Sequence, residues 1–491
     1  MDVQHILLVI LSLRLGLLDL QASAVKQEEK ESMPSGPRIA IIGSGIGGSS
    51  CAYYLHKLLP NAQLSIFEAN DRIGGRIMSV NIEGVIVEVG AAAWASANQY
   101  IMELAKEMNL SIFDAKPKLP RTDRLDLLLN QQSALSIGVW DGYALHDIEK
   151  LVIDNLKSTA ITVAEIAEFL LKLKLNYFQR EDEGPFRNIT EYLAYGKLTE
   201  YTSKSTLQYL SEHNVELELL KYFIEPLMIH IYDQELDMHS FAAFASLTSL
   251  LTSAHSVTSG NSKLPKALVN ASKAEVHLNS KVHTITNDNT EYTIAFTHDG
   301  KNESITTVDA VVIAAPLEWT GITFKNIQPD PSSSQPHRDW VFWYVHFVVA
   351  KSINNTYFHQ PDQWSAPDNI FTTANVSLPW ASIQLYQPLP NSNIYKLFCT
   401  QNLTTHMDEY FIGVRSVYTH HWVYTFPRLI PITDPEDFQD IQLHDGLFNI
   451  NTIESIASAM EVPVINARNV AQLIADAVNR DYGYDTYQND C

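Results

Sequence analysis

An apolar run that stops at a glycine-rich turn constrains this chain more than any other feature. Arg38-Ile-Ala-Ile-Ile42 reads as a buried strand, Gly43-Ser-Gly45-Ile-Gly47-Gly48 follows it, and small residues from Ser49 to Ala52 open a helix-like segment. In a Gly-x-Gly-x-x-Gly turn the first glycine bends the chain tightly out of the strand. The second admits backbone N–H groups to phosphate, and the third lets the helix pack on the sheet. Gly43, Gly45 and Gly48 hold those positions, with Gly47 beside them. The free amides and dipole of the helix start favour an anion there. A second apolar run, Leu64–Phe67, ends in Glu68 about 20 residues after the last glycine, where an acid bonds ribose hydroxyls. A solvated strand end is the plain alternative for Glu68. The spacing as a whole predicts a dinucleotide-binding strand, turn, helix and strand.

Directly behind Glu68 stands Arg72-Ile-Gly74-Gly75-Arg76. It resembles the second phosphate-side motif of FAD-dependent amine oxidases and their relatives. Gly74 and Gly75 are expected to bring backbone close to a cofactor, and Arg76 to offer a forked donor to phosphate. Residues 38–95 read as the first part of an FAD-binding domain, closing on Glu88-Val-Gly90. Residues 96–260 read as a mostly helical substrate-domain insertion, because Val163, Ile166, Leu170, Leu173 and Tyr177 recur at spacings of three and four. The chain then returns to the cofactor domain over 261–334, with Val276–Val282, alternation at Tyr292–Phe296 and a buried run at Asp309–Pro316. That run is either a strand beside the cofactor or a plain sheet strand, and Val282 is the cofactor candidate of this part. Residues 335–430, rich in Trp, Tyr and Phe, read as a strand-dominated substrate region, and 431–480 as the closing part of the FAD domain. The expected architecture is α/β: a two-domain flavoprotein with a Rossmann-like FAD-binding domain and a discontinuous α+β substrate domain.

At 491 residues and 46% apolar content the chain is long enough for two domains sharing a large core. A formal charge of −22 argues against nucleic acid, which requires clustered Lys and Arg. Residues 1–24 read as a signal peptide: an apolar run from Ile6 to Leu20, broken by Arg14 and Asp19, then Ala22-Ser-Ala24 as a cleavage signal. No later run approaches the roughly 18–20 apolar residues of a transmembrane anchor. Asn109, Asn188, Asn270, Asn302, Asn354, Asn375 and Asn402 lie in glycosylation tripeptides. Cys51, Cys399 and Cys491 suggest neither a disulfide framework nor a metal site.

Near the C-terminus the segment from Leu443 to Glu461, then Asn466 to Leu473, resembles the closing flavin motif and helix of the prenylcysteine oxidases (prenylcysteine lyases). Ala52-Tyr-Tyr-Leu55, Pro226 and Met228 followed by Tyr232 and Gln234, the Gly260-Asn261 turn with Leu264, and Trp422–Pro427 agree with it. The resemblance implies an FAD-dependent thioether oxidase that cleaves farnesyl- or geranylgeranyl-cysteine with O₂. The products are cysteine, the isoprenoid aldehyde and H₂O₂, in the degradation of prenylated proteins. It implies that Glu454 contacts the flavin end of the cofactor. The leader and the acidic charge point to the secretory pathway, with the lysosome, or alternatively the extracellular fluid, as the destination. An apolar tunnel is expected from Trp340–Phe347, Tyr386 and Phe241–Phe244. The chain departs from the relatives where their Arg-x-Asn-Tyr-Gly-Gln run is Ile229-His-Ile-Tyr-Asp-Gln234. It departs again where their Glu-Gly-Gly-Asn turn is Thr258-Ser-Gly-Asn261, near Ala95, and at Thr452. These changes concern the pocket more than the phosphate cradle, and leave His230, Tyr232 and Gln234 as weak catalytic candidates. A flavin amine oxidase, or a catalytically weakened FAD-containing lipid- or prenyl-binding secreted protein associated with lipid or lipoprotein, are the other readings.

Overall fold

The computed structural model describes residues 36–115, 137–374 and 377–481. The expected signal peptide, Asn375 and Cys491 lie outside them. Strand Arg38–Ile42 pairs in parallel with Gln63–Phe67 on one side and Ala310–Ile313 on the other. Glu275–His277, Leu447–Asn449 and Gln442–His444 complete a six-stranded sheet, parallel except for its last strand. Strands from three distant parts of the sequence therefore meet in one sheet. The strand cores Ile39–Ile41 and Val311–Ile313 are fully buried, as a parallel sheet covered on both faces requires. Helix Ile46–Leu58 follows the glycine turn and packs between helix Lys263–Ser272 and the closing helix Glu461–Asp481. Val282, Ile285 and Ile294 of a four-stranded sheet bury the other face, together with Phe67 and Ile313.

The second large sheet has seven strands, in the order Ser416–Pro427, Trp340–Ala350, Ser392–Cys399, Trp380–Leu389, Asn369–Thr372, Ile137–Trp140 and Leu145–Asp147. Along Trp340–Ala350 alternate side chains go to opposite faces. Val345, Phe347 and Val349 pack with Ile394 on Ile82, Val87 and Val89 of the hairpin formed by Ser79–Ile82 and Val85–Glu88. Farther along the same face, Val341 and Trp343 meet Ile229 and Ala381. Val348 and Ala350 join Trp140, Trp380 and Cys399 on the opposite face. The hairpin that leaves the cofactor domain and the helix Glu225–Tyr232 thus share one face of the sheet.

Two strands of this sheet, Ile137–Trp140 and Leu145–Asp147, come from within the segment read as a helical insertion. Ile137–Trp140 pairs in parallel with Asn369–Thr372, and Trp140 packs on Phe358. The sheet edge supplies a partner that the local helical periodicity around them did not reveal. Phe241 and Phe244, expected to line a tunnel, instead pack edge-on against Phe169 of the long helix Leu156–Glu183. They are helical core. Among the described residues no helix is long and apolar enough to cross a membrane, and no cluster of His, Cys, Asp and Glu is arranged to hold a metal.

Candidate dinucleotide and substrate site

The two glycine motifs are tied to each other. The Gly74 N–H donates to Ser44 O at 3.0 Å, Gly45 and Gly74 form a parallel bridge, and Gly75 sits against Gly45. At Gly48 a Cβ would lie 2.0 Å from Gly43 O, so only glycine lets the helix start this close to the strand end. Glu68 lies beside this turn, buried. One of its carboxylate oxygens accepts from the Ser44 N–H (2.9 Å) and hydroxyl (2.7 Å), the other from the N–H and side-chain amide of Asn70 (2.9 and 2.7 Å). Four donors orient the acid at the end of its strand, and two of them, Ser44 Oγ and Asn70 Nδ2, are side chains able to yield to a ribose hydroxyl. Val282 adjoins this corner in the four-stranded sheet, where it is buried among Phe67 and Ile285.

Arg72 donates to the carbonyls of Gly75 (2.7 Å) and Ile77 (3.2 Å) and locks the Gly-Gly turn. Arg76 does something other than stand free toward phosphate. Its guanidinium donates to Thr425 O at 2.9 Å and pairs with the Glu454 carboxylate, while lying 5.7 Å from the Trp340 ring. Glu454 belongs to the single turn Asn451–Ser455 and is buried. Sequence reasoning placed each of these two residues near the cofactor but not their contact, since 378 positions separate them. Arg338 also lies against Trp340, 5.4 Å from its ring; it pairs with Glu318 (2.7 Å) and donates to Asn451 O (2.8 Å), bracing the turn that carries Glu454.

Two buried polar atoms beside Arg76 have no partner among the described residues: Glu454 Oε2, an acceptor, and Trp340 Nε1, a donor. Buried polar atoms are ordinarily satisfied. An open acceptor and an open donor beside a glycine cradle fit a ligand that carries both hydroxyl and carbonyl groups, as the ribityl and isoalloxazine parts of a flavin dinucleotide do.

Gly90 lies where a Cβ would be 1.9 Å from Arg76 O and 3.1 Å from the Trp422 ring, so the turn after the hairpin runs against the Arg-Gly-Gly-Arg segment. From Arg76 an aromatic line leads into the substrate sheet. Tyr232 contacts Phe426 (5.1 Å between centroids), Phe426 contacts Trp343 (5.6 Å), and Trp343 stacks on Phe398 (4.4 Å). Phe398 meets His230 (5.5 Å), which stacks on Phe371 (4.6 Å).

The three catalytic candidates occupy different surroundings. His230 is half-buried, with Nδ1 3.0 Å from Ser382 Oγ, and faces the aromatic line. Burial pushes the Tyr232 phenol up to about 12, so it is neutral at physiological pH. Gln234 is buried and spends its amide on backbone, donating to Pro427 O (3.1 Å) and accepting from Leu429 N (2.7 Å). That use is architectural. Asp233, which sequence reasoning passed over, caps helix Glu225–Tyr232 in the left-handed region (φ 52°), and burial raises its carboxyl to about 6 beside Trp343.

Comparison with known proteins bears on this geometry. The NAD(P)-binding Rossmann-like domain model matches residues 41–108. Farnesylcysteine lyase of Arabidopsis thaliana is 25% identical over 464 residues, 89% of this chain and 87% of the relative. Prenylcysteine oxidase 1 of Homo sapiens is 26% identical over 487 residues, 94% and 93%. Among solved structures, putrescine oxidase bound to putrescine superposes with a TM-score of 0.57 at 14% identity, covering 89% of this chain and 98% of that one. Cyclohexylamine oxidase from Brevibacterium oxydans gives 0.59 at 14% identity, covering 91% and 100%. At that identity the two oxidases establish a shared fold. The prenylcysteine lyase family model matches residues 159–485, well over half of the sequence, and the chain belongs to that family.

Proposed function

We propose that this protein is an FAD-dependent thioether oxidase that cleaves farnesyl- or geranylgeranyl-cysteine to cysteine, the isoprenoid aldehyde and H₂O₂. The observation that carries the reading is the pair of open buried atoms, Glu454 Oε2 and Trp340 Nε1, flanking Arg76 beside two interlocked glycine turns. Membership of the prenylcysteine lyase family and relatives named for farnesylcysteine and prenylcysteine support the substrate class. The residues that would hold the dinucleotide are Gly43, Gly45, Gly47, Gly48 and Glu68 at the adenosine end, and Gly74, Gly75, Arg76, Gly90 and Glu454 farther along. When bound, FAD supplies a two-electron acceptor for the carbon between sulfur and the allylic double bond, and O₂ takes the electrons on to H₂O₂. Water then adds to the oxidised carbon, and the hemithioacetal collapses to aldehyde and free thiol.

The chain's own residues shape that reaction by holding and desolvating the substrate. Sulfur and the alkene already stabilise the developing cation, so no strong base is demanded, and the neutral Tyr232 and backbone-bound Gln234 suit a site that works by orientation. The line from Phe426 through Trp343 and Phe398 to Phe371 offers an apolar wall for an isoprenoid. His230 and Asp233 stand at that wall as the polar groups for the cysteine head.

The test is purification from a secretory host, an absorption spectrum, and anaerobic mixing with farnesylcysteine. Bleaching of the oxidised flavin band supports the reading. Bleaching by putrescine or an aryl amine and not by farnesylcysteine overturns it in favour of an amine oxidase. Passage through the secretory pathway, to the lysosome first and the extracellular fluid as the alternative, belongs to the same proposal. Exposure of Asn109, Asn188, Asn270 and Asn402 supports it, and a mass decrease on glycosidase treatment is its check.

A further inference from the structure

Lys396 is the buried cation that the reading above leaves unused. It lies in strand Ser392–Cys399, 2% exposed, on the sheet face that packs against the hairpin. Its ammonium is 4.6 Å from the Phe398 ring centre and 5.6 Å from that of Phe347. Among the described residues its one hydrogen bond runs to Glu88 O, at 2.9 Å. An ammonium with a single acceptor in an aromatic slot is expensive to bury, and methionine would fill the same space without a charge.

The partner is what gives the lysine a purpose. Glu88 opens the turn Glu88–Ala92, which is held at every residue but its glycine. The Glu88 N–H donates to Tyr386 Oη (3.1 Å), and the Glu88 carboxylate accepts from Ser79 Oγ and from Asn261 N. Val89 O accepts from Trp422 Nε1 (3.2 Å), and the Ala91 and Ala92 carbonyls accept from Asn261 Nδ2 (3.0 and 2.9 Å). Gly90, in the middle, runs against Arg76. Tyr386 and Trp422 would suffice to dock the turn on the sheet, yet the carbonyl at its start is taken by a charge.

We propose that Lys396 is a positioning residue for the flavin: it fixes the Glu88–Ala92 turn by the Glu88 carbonyl and sets a positive charge directly behind it. This rests on the FAD reading above but not on the identity of the substrate. A fixed cation behind the turn that runs against Arg76 would favour the extra negative charge of a reduced flavin held there and so raise its midpoint potential. Burial draws the ammonium down to about 8, so the charge is partly lost just above neutral pH. The other titratable and charged groups on this face, among the described residues, are the Glu88 carboxyl and the phenols of Tyr386 and Tyr418, all raised by burial, the His420 imidazole, lowered by burial and by Arg72, and Arg72 itself.

The experiment compares Lys396→Met, Lys396→Arg and Tyr386→Phe holoproteins by flavin absorption, midpoint potential between pH 7 and 9, and FAD retention on dialysis. Lys396→Met is expected to lower the potential, shift the visible bands, weaken FAD binding about tenfold, and abolish an inflection of the wild-type potential near pH 8. Lys396→Arg should restore the potential toward wild type without the inflection. Tyr386→Phe, which loosens the turn and leaves the charge, should weaken FAD retention and leave the potential unchanged. A Lys396→Met holoprotein with wild-type potential and spectrum overturns the proposal. If that variant does not fold, Lys396→Gln, which keeps a donor without the charge, decides by the same potential. The readouts belong to the flavin itself, so failure of prenylcysteine turnover leaves this proposal standing, and an unchanged potential sinks it even where turnover is intact.

Discussion

Glu454 gives one carboxylate oxygen to Arg76 and keeps the other buried and open, so its charge serves both the protein and the expected ligand. Glu454→Gln keeps the shape and removes the charge. The side chain of Arg76, about a quarter exposed, then faces a neutral amide beside a buried turn. We expect FAD affinity to fall about 10–100-fold, at roughly 1.4 kcal/mol per tenfold, with about 1–3 kcal/mol lost from holoprotein stability. Equilibrium dialysis and calorimetry check both. At Gly48 a Cβ 2.0 Å from a carbonyl oxygen has no room to relax, because the contact is backbone against backbone. Gly48→Ala is expected to cost about 3 kcal/mol or more and to yield flavin-free protein, and retention of wild-type absorbance would contradict this. These two residues differ in how legible they were. The glycine's demand is local and shows in spacing, whereas the meeting of Glu454 with Arg76 exists only once the chain is folded.

Elements were legible in proportion to how locally they are determined. The strand, turn and helix from Arg38 to Leu58 could be read directly, because the periodicity switches at the glycines. The strands Ile137–Trp140 and Leu145–Asp147 could not, because the other five strands of the sheet that selects them come from residues 340–427. Glu461 shows the same non-locality in one side chain. It opens the closing helix, yet its carboxylate accepts from the N–H groups of Tyr100 and Ile101, in the first turn of helix Gln99–Glu107, and from the Tyr177 hydroxyl. It caps a helix more than 350 residues away. Burial outweighs these donors and holds the carboxyl at about 7, above its ordinary 4.5, so the native state binds the proton more tightly than the unfolded chain. The resulting stability is full below about pH 4.5 and is lost as pH rises through about 7. The melting temperature is therefore expected to fall by a few degrees between pH 5 and 7.5. Glu461→Gln should flatten that slope, and an equally steep slope in the variant would show that the titration belongs elsewhere.

At the scale of the whole molecule, the cofactor cradle is made by segments that are far apart in sequence: the glycine turns before residue 91, the Trp340 strand, and the Glu454 turn. None is complete without the others, and Arg76 is where they touch. Such an assembly would couple ligand to fold, because a bound FAD would bridge parts that are otherwise held together through Arg76, Arg338 and a few backbone bonds. A ligand that binds only the native state stabilises it by about 2.7 kcal/mol at a hundredfold excess over its dissociation constant. In a single cooperative unit the size of the whole chain, at about 2.1 cal/mol/K per residue, this corresponds to a rise of roughly 3 °C. Deflavinated protein titrated with FAD should show that rise in a single transition covering both the cofactor sheet and the substrate sheet. Tryptophan fluorescence is weighted toward the substrate sheet, whose strands carry Trp140, Trp340, Trp343, Trp380 and Trp422 of the chain's eight tryptophans, and far-UV dichroism reports the whole chain. If FAD moved the dichroism transition and left the tryptophan transition in place, the substrate sheet would be melting independently. The turn Glu88–Ala92, held by Tyr386, Lys396 and Trp422, would then not transmit cofactor binding across the molecule.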